Sequence, residues 1–456
     1  MGTRECVEFH GPAIKEFLYN TQNRVQKEGM MDKTDILEAL KHSNVFLTGG
    51  AGVGKSYITN EVISDYRKRG KQVVALGSTG VSAVNIGGFT VHSFFDFGIA
   101  GNFEELLVHD KRAKKRLADL KKVLQATDLV IIDEISMVSA DLLDMVAYRL
   151  NHFGYLGKML FVGDFFQLPP VQKSASNHLF GDRLYAFESN AWEAFALRVI
   201  ELTQMKRTHD AEFTHILNKV RCGICDDEVI LYMQRLWNTQ ISDKDSTYLF
   251  GRNLEAEQTN RAKINELDTE ETILFANLEM FQKVHEKKLS GWKNLLPVSE
   301  YLTLKEGVPV LFTVNKWGKF VNGERGILRK IADEYLIVEK EEGCVRVERH
   351  DFDLLDIAVR EDGGVEAVSL ATLSQFPLKL AYAVTIHKSQ GMSINNLVCN
   401  VDNIFAPSQF YVAISRAIDP KKLRIDFNKG DLTHYLKRVI HVDKRVAEYY
   451  DKISKN

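Results

Sequence analysis

The sequence predicts an α/β fold built on parallel sheets covered on both faces, and two observations carry that reading. Four short apolar runs, Val45-Phe46-Leu47-Thr48, Val73-Val74-Ala75-Leu76, Leu129-Val130-Ile131-Ile132 and Met159-Leu160-Phe161-Val162, alternate with stretches of helical periodicity. Uninterrupted apolar strands are buried on both faces, and strands separated by helices pair in parallel. A glycine-rich turn, Gly49-Gly50-Ala51-Gly52-Val53-Gly54-Lys55-Ser56, also separates the first run from a helix in which Ile58, Val62 and Tyr66 recur every four residues.

In chain order, residues 1–43 read as a polar N-terminal helical segment, with Ile36, Leu37 and Leu40 at helical spacing. A first αβ domain spans 44–196. A second covers 197–300 and resumes over 371–430. The interruption at 301–370 differs in texture. Short β-rich runs at 308–313, 326–331, 336–339 and 344–348 are split by glycines and charged turns, which predicts a small inserted β-barrel. Leu436, Val439, Val442 and Val446 mark an amphipathic C-terminal helix over 431–456. Between the second and third apolar runs lies a basic segment, Lys111 to Arg116 continuing through Lys121 and Lys122. It reads either as a solvated helix face or as a phosphate-contacting insertion.

At 456 residues there is room for about three domains. With 45% apolar and 26% charged residues the composition is ordinary for a globular protein. A net charge of −2 argues against a coat-type nucleic-acid binder. An enzyme that holds a few nucleotides in a local groove stays open. Five scattered cysteines read as free thiols in a reducing compartment. Cys222 and Cys225 form the only close pair and lack a second half-site for zinc, so helix-end core thiols are expected. No run of about 18 apolar residues is present, and the charged start lacks the apolar stretch of a signal peptide. Cys6 stands where a myristoylation signal wants Ser or Thr. The expectation is a soluble intracellular protein without a membrane partner.

Residues 49–56 fit the P-loop pattern, in which glycines let backbone N–H groups close around phosphate oxygens at the positive end of a helix. Gly50, Ala51, Gly52, Val53 and Gly54 would line the phosphates. Lys55 would reach the β- and γ-phosphates, and Ser56 would ligate Mg²⁺. Asp133 and Glu134 cap a buried strand at its carboxyl end, where parallel sheets bind ligands. Asp133 is the candidate Mg²⁺ holder and Glu134 the candidate base for the attacking water. Gln167, in Gly163-Asp164-Phe165-Phe166-Gln167-Leu168-Pro169-Pro170, either senses the γ-phosphate or caps a turn.

Taken together these blocks resemble the superfamily 1 DNA helicases of the PIF-type, RecD-like branch, over about residues 44–417. The resemblance rests also on residues 78–95, on Asp133 to Val138, on Leu380-Ala381-Tyr382-Ala383-Val384-Thr385-Ile386-His387-Lys388-Ser389-Gln390-Gly391, and on Phe405 to Arg416. It implies two RecA-like P-loop domains with ATP and Mg²⁺ in the cleft between them, working as a 5′→3′ helicase on single-stranded DNA and on duplex or fork DNA. It further implies that Arg207 and Arg416 reach the γ-phosphate from the second domain, and that Gln390 lies in the block linking nucleotide to DNA. Thr90, His92, Thr385, His387 and Lys388 would contact the strand. Phe94 and Phe95 are read as core. The insertion is similar to the family's Src-homology-type barrel, with Val321 to Gly326 as its turn, and the segment 97–126 falls where the family carries a small wedge. Action as a monomer is expected, in the cytoplasm or with the nucleoid. Two departures stand out. Asp32 and Lys33 occupy the neighbourhood of the family's adenine-reading glutamine, with Gln22 and Gln26 further upstream, and Ser408 stands where glycine is common before Gln409. An RNA-directed ATPase, or a DNA-stimulated switch or remodeller without processive unwinding, are the alternatives.

Overall fold

The computed structural model describes residues 32–98, 100–111, 113–170, 183–243, 245–316, 318–359 and 365–455. Most of the expected N-terminal segment, with Gln22 and Gln26, lies outside them, as does Arg112 of the basic run. Within the described part, Asp32 caps the helix Lys33–His42, its carboxylate accepting from the Thr34 amide.

The first sheet contains β1 (Val45–Thr48), β2 (Val73–Gly77), β3 (Phe89–Thr90), β4 (Leu129–Asp133), β5 (Lys158–Val162) and β6 (Arg198–Glu201). Their order is β3-β2-β4-β5-β1-β6, and every neighbouring pair is parallel. Successive side chains point to opposite faces of a strand. Val45, Leu47, Leu129, Ile131, Leu160 and Val162 accordingly pack with Val62 and Ile63 of the helix Lys55–Lys68. Phe46, Val130, Ile132 and Phe161 pack with Leu143 and Val146 of the helix Ala140–His152 on the other face. The apolar runs thus gave four strands and their two-sided burial. β3 and β6 lacked such runs: β3 has two residues, and Arg198 and Val199 are exposed. β6 also shifts a boundary. The second domain was expected from 197, yet residues 198–201 pair in register with 45–48 as part of the first sheet.

In the second domain the helices Ala211–Arg221 and Asp227–Trp237 come first and pack on its core, and β7 (Thr247–Phe250) is its first strand. An antiparallel module follows: β8 (Glu271–Phe275), β9 (Asn277–Met280), β10 (Tyr301–Lys305), β11 (Pro309–Phe312), β12 (Arg325–Ile331), β13 (Leu336–Lys340), β14 (Gly343–Val347), β15 (His350–Val359), β16 (Val365–Gln375) and β17 (Leu378–Leu380). They form sheets β14-β13-β12-β11-β17, β15-β16-β9 and β10-β8. Leu304, Val310, Phe312, Leu328, Val338, Phe352 and Leu373 share one core, so the three sheets wrap a single interior. Antiparallel pairing therefore extends beyond the expected 301–370 at both ends. The half-exposed alternation of β8 carried no turn signal to set it apart from the helical sequence before it. β18 (Ala383–Thr385), β19 (Leu397–Asn400) and β20 (Leu423–Asp426) then complete the parallel sheet β18-β7-β19-β20.

Within 97–126 lie the helices Phe103–Asp110 and Lys114–Ala126. Fully buried Arg149 forks onto Asp110 at 2.6 Å through both terminal nitrogens and so anchors the first helix. Arg116 bridges Asp96 at 3.1 Å and Asp356 of β15 at 3.2 Å, which ties the second helix to the inserted module. The expected single C-terminal helix is two, Leu432–Val439 and Lys444–Ser454. Asp443 is the reason: its carboxylate accepts from the Arg445 amide at 2.9 Å and starts a new helix. That last helix crosses to the first domain, where Val446 and Tyr450 join the core. Phe94 and Phe95 are core as well. Among the described residues no helix is long and apolar enough to cross a membrane.

Candidate functional site

The turn after β1 places Gly49, Gly52 and Gly54 at φ 137°, 83° and 93°. Such values are open to glycine and strained for other residues. Space demands glycine too: a Cβ on Gly52 would lie 2.7 Å from Arg207 Cβ. Buried Gly50, Ala51 and Val53 complete the turn, and the helix Lys55–Lys68 leaves it with its positive end facing back. Ser56 is exposed at that end. Lys55 Nζ donates to the carbonyls of Gly49 at 2.7 Å and Gly50 at 3.0 Å. Burial lowers the Lys55 pKa, opposed by the charges of Asp164, Glu134 and Asp133.

Asp133 ends β4 and is buried, its Oδ1 accepting from the Glu134 amide at 2.9 Å. Burial, and then the Glu134 charge, push Asp133 up to about 7. Burial raises Glu134 as well, against the pull of Lys55 and Arg416. Glu134 sits at φ 53°, a left-handed conformation that costs a non-glycine residue about 1–2 kcal/mol. Its Oε2 is buried without a hydrogen-bond partner among the described residues. The same holds for Gln390 Nε2. Gln167 is buried in the loop after β5, its amide donating to the Asp164 carbonyl at 2.9 Å.

The two arginines meet in this cleft. Arg207 donates to Ser393 Oγ at 2.9 Å and the Ser415 carbonyl at 2.6 Å, while its own amide donates to the Gly52 carbonyl at 3.1 Å. It thereby joins the P-loop to the second domain. Arg416 is buried and donates to the Val412 carbonyl at 3.0 Å, the Ser389 carbonyl at 3.4 Å and Ser415 Oγ at 3.0 Å. Neither has a carboxylate partner among the described residues. Burial, followed by the Arg416 charge, lowers the Arg207 pKa. Burial also lowers Arg416, against Tyr411 and Glu134. Unpaired cations out of water are costly. A polyphosphate fits this set: glycine-lined amides, three cations without a paired acid, and an orphaned acid and amide. A divalent cation fits beside Asp133, since positive charge there would return its carboxyl to the ionised form.

The strand candidates fall into two groups. Thr90 caps the helix Val91–Phe94, its Oγ1 accepting from Ser93 N at 3.2 Å, and His92 beside it is exposed. Thr385 ends β18 and is buried, its Oγ1 accepting from the Lys388 amide at 3.4 Å. Exposed Lys388 and half-buried His387 follow, the His387 ring stacked 6.3 Å from exposed Phe405. The first group lies on the first domain and the second on the second domain. The helix Gly80–Ile86 approaches the second one, because a Cβ on Gly391 would lie 3.7 Å from Asn85 Nδ2.

Other residues of the site carried no signal of their own. Tyr411 Oη accepts from the Ala51 amide at 2.8 Å, across the cleft. Arg221 forks onto buried Asp164 at 3.0 and 2.9 Å. Cys222, at the end of the helix Ala211–Arg221, is a core thiol that burial pushes up to about 12. Tyr411 and Asp164 lay inside recognised blocks, whereas Arg221 and Tyr450 did not.

Residues 20–229 match the family described as PIF1-like helicase, and residues 329–447 match a family described as helicase. The chain is 40% identical over 439 residues to the ATP-dependent DNA helicase Pif1 of Campylobacter jejuni, covering 93% of this chain and 97% of that one. Its fold is similar to that of Bacteroides sp Pif1 in complex with ADP-AlF4, with a TM-score of 0.79 and 26% identity over 93% of this chain and 96% of the other. It is also similar to Pif1 helicase from Bacteroides in complex with ADP-AlF3 and ssDNA, with a TM-score of 0.64 and 26% identity over 94% and 98% of the two chains.

Proposed function

The chain belongs to the PIF1-like helicase family and is an ATP-dependent DNA helicase, and from that premise we propose that its cleft drives 5′→3′ travel along single-stranded DNA. The direction rests on the resemblance to the PIF-type branch; the observation that carries the coupling is the pair Arg207, half-buried, and Arg416, buried, set across from the P-loop without carboxylate partners among the described residues. In this reading the amides of residues 50–56 and Lys55 hold the phosphates. Ser56 and Asp133 would hold Mg²⁺, which would supply positive charge to offset that of the phosphates. Glu134 accepts the proton of the attacking water: its backbone is held at φ 53° and its Oε2 is buried without a partner among the described residues, which leaves it poised for that step. Gln167 and Gln390 contact the γ-phosphate side, and the two arginines stabilise charge that develops there. Because they hang from second-domain atoms, their contact rewards closure and so links hydrolysis to domain motion. Thr90, His92, Thr385, His387 and Lys388 hold the strand across both domains. One copy suffices, and a DNA substrate implies a cytoplasmic or nucleoid location.

The test is steady-state ATP hydrolysis with single-stranded DNA, with RNA and with neither. DNA should stimulate turnover more than RNA, and Lys55→Ala should abolish it. Equal stimulation by RNA would favour an RNA-directed motor. Retained turnover in Lys55→Ala would remove the P-loop assignment.

A further inference from the structure

Tyr450 lies on the last helix of the chain, outside every sequence block that points to nucleotide chemistry, and it is 1% exposed. Its hydroxyl sits where two neighbouring strands of the first sheet, β1 and β5, end. Thr48 Oγ1, on the residue before the P-loop, is 2.9 Å away. The Phe165 amide donates to it at 3.2 Å, and it donates to Asp164 Oδ1 at 3.4 Å. With Thr48 as the donor in the first contact, the one proton and two lone pairs of the phenol are all used. The ring stacks on Phe166 at 4.3 Å and 16°, next to Gln167 in the chain. Arg221 closes the cluster, forked onto Asp164 and lying 4.8 Å over the Phe166 ring.

β1 and β5 are neighbours in the sheet, and their carboxyl ends carry the P-loop and the Gln167 loop. The backbone joins the strands only as far as Leu47, whose carbonyl accepts from the Gly163 amide at 3.1 Å. Beyond it, Tyr450 is a side chain bonded at once to Thr48, the last residue of β1, and to the Gln167 loop. We propose that Tyr450 is a positioning residue for ATP hydrolysis, setting the Gln167 loop against the P-loop through Thr48, the Phe165 amide and Asp164. The helix that carries it follows the second domain in the chain and docks on the first, with Tyr449 stacked 4.4 Å from Phe187 and Lys452 paired to Glu193 at 3.1 Å. The C-terminal helix is thereby part of the catalytic frame.

This rests on the proposed ATP site, so the experiment keeps the two apart. Tyr450→Phe retains the stacked ring and removes only the hydroxyl. DNA-stimulated kcat should fall about tenfold, the scale of a sub-ångström misplacement, with KM for ATP within about twofold of the parent. Adding Gln167→Ala should cost no more than Gln167→Ala alone, because both act through one loop. Thr48→Val, which deletes the opposite partner, should reproduce the drop in kcat and carries the test should Tyr450→Phe not fold. A kcat within twofold of the parent in folded Tyr450→Phe, or effects that add in the double variant, would overturn the proposal. So would a deficit in kcat that disappears well below the melting transition, which is the mark of a purely stabilising role. Active Lys55→Ala would instead overturn the ATP-site assignment itself.

Discussion

Arg416 shows how a single side chain separates a motor from a surface ion pair. An arginine that only paired with an acid would contribute under about 1 kcal/mol and could be removed without consequence for activity. Here its donors go to two carbonyls and a hydroxyl, and the nearby negative charge is Glu134, from the other domain. Arg416→Ala should keep nucleotide binding, since the P-loop holds the β-phosphate unaided. DNA-stimulated turnover should drop by about 10³-fold, the scale of a missing arginine finger. Lysine should rescue little, because a point charge does not reproduce the planar fork. Hydrolysis and nucleotide-binding assays on the two variants check this, and DNA-stimulated turnover persisting in Arg416→Ala would contradict it. At the same scale, Ser408 explains its own departure from the family pattern. It sits at φ 62°, where glycine is at ease, and carries strain of about 1–2 kcal/mol as the residue before the helix Gln409–Ile414.

Among the elements, the basic helix Lys114–Ala126 is the one whose role the sequence left open. Its inner side is committed: Leu120, Val123 and Leu124 are core, and Arg116 reaches Asp96 and Asp356. Lys114, Lys115, Lys121 and Lys122 remain exposed. If these touch phosphate, replacing Lys121 and Lys122 by glutamate should weaken single-stranded DNA binding. The salt dependence should then flatten by about 0.7 in slope for each phosphate no longer neutralised. Affinity titrations at several salt concentrations measure both effects. An unchanged slope would make this helix a solvated face that serves only to brace β15.

On the scale of the whole molecule, Arg207, Tyr411 and the C-terminal helix join the domains of the two parallel sheets, while the antiparallel module interrupts the second of them in the chain. Motion between the domains would be read by the strand-contacting groups, one from each. Given the 5′→3′ travel that the resemblance to the PIF-type branch implies, a duplex with a 5′ single-stranded tail should be unwound and a 3′-tailed one left intact. If one copy works alone, as proposed, the unwinding rate should rise linearly with protein concentration. Efficient unwinding from a 3′ tail alone would refute the polarity, and a sigmoidal rise would refute the monomer.

The sequence by itself determined the features that depend on near neighbours. Apolar runs of four residues placed β1, β2, β4 and β5, and glycine spacing located the turn from Gly49 to Gly54. An acid pair at the end of β4 was legible because strand burial and chain order fix which end it occupies. What the chain order left unstated is who meets whom across long stretches of chain. Tyr450 against Thr48, Arg221 against Asp164, Tyr411 against Ala51 and Arg207 against Ser393 were decided only by the packing of whole elements. Such contacts have no sequence period, because each partner's own neighbourhood satisfies its local pattern equally well without the other. The short edge strands β3 and β6 form for the same reason: their partners supply the ladder that their own residues do not announce.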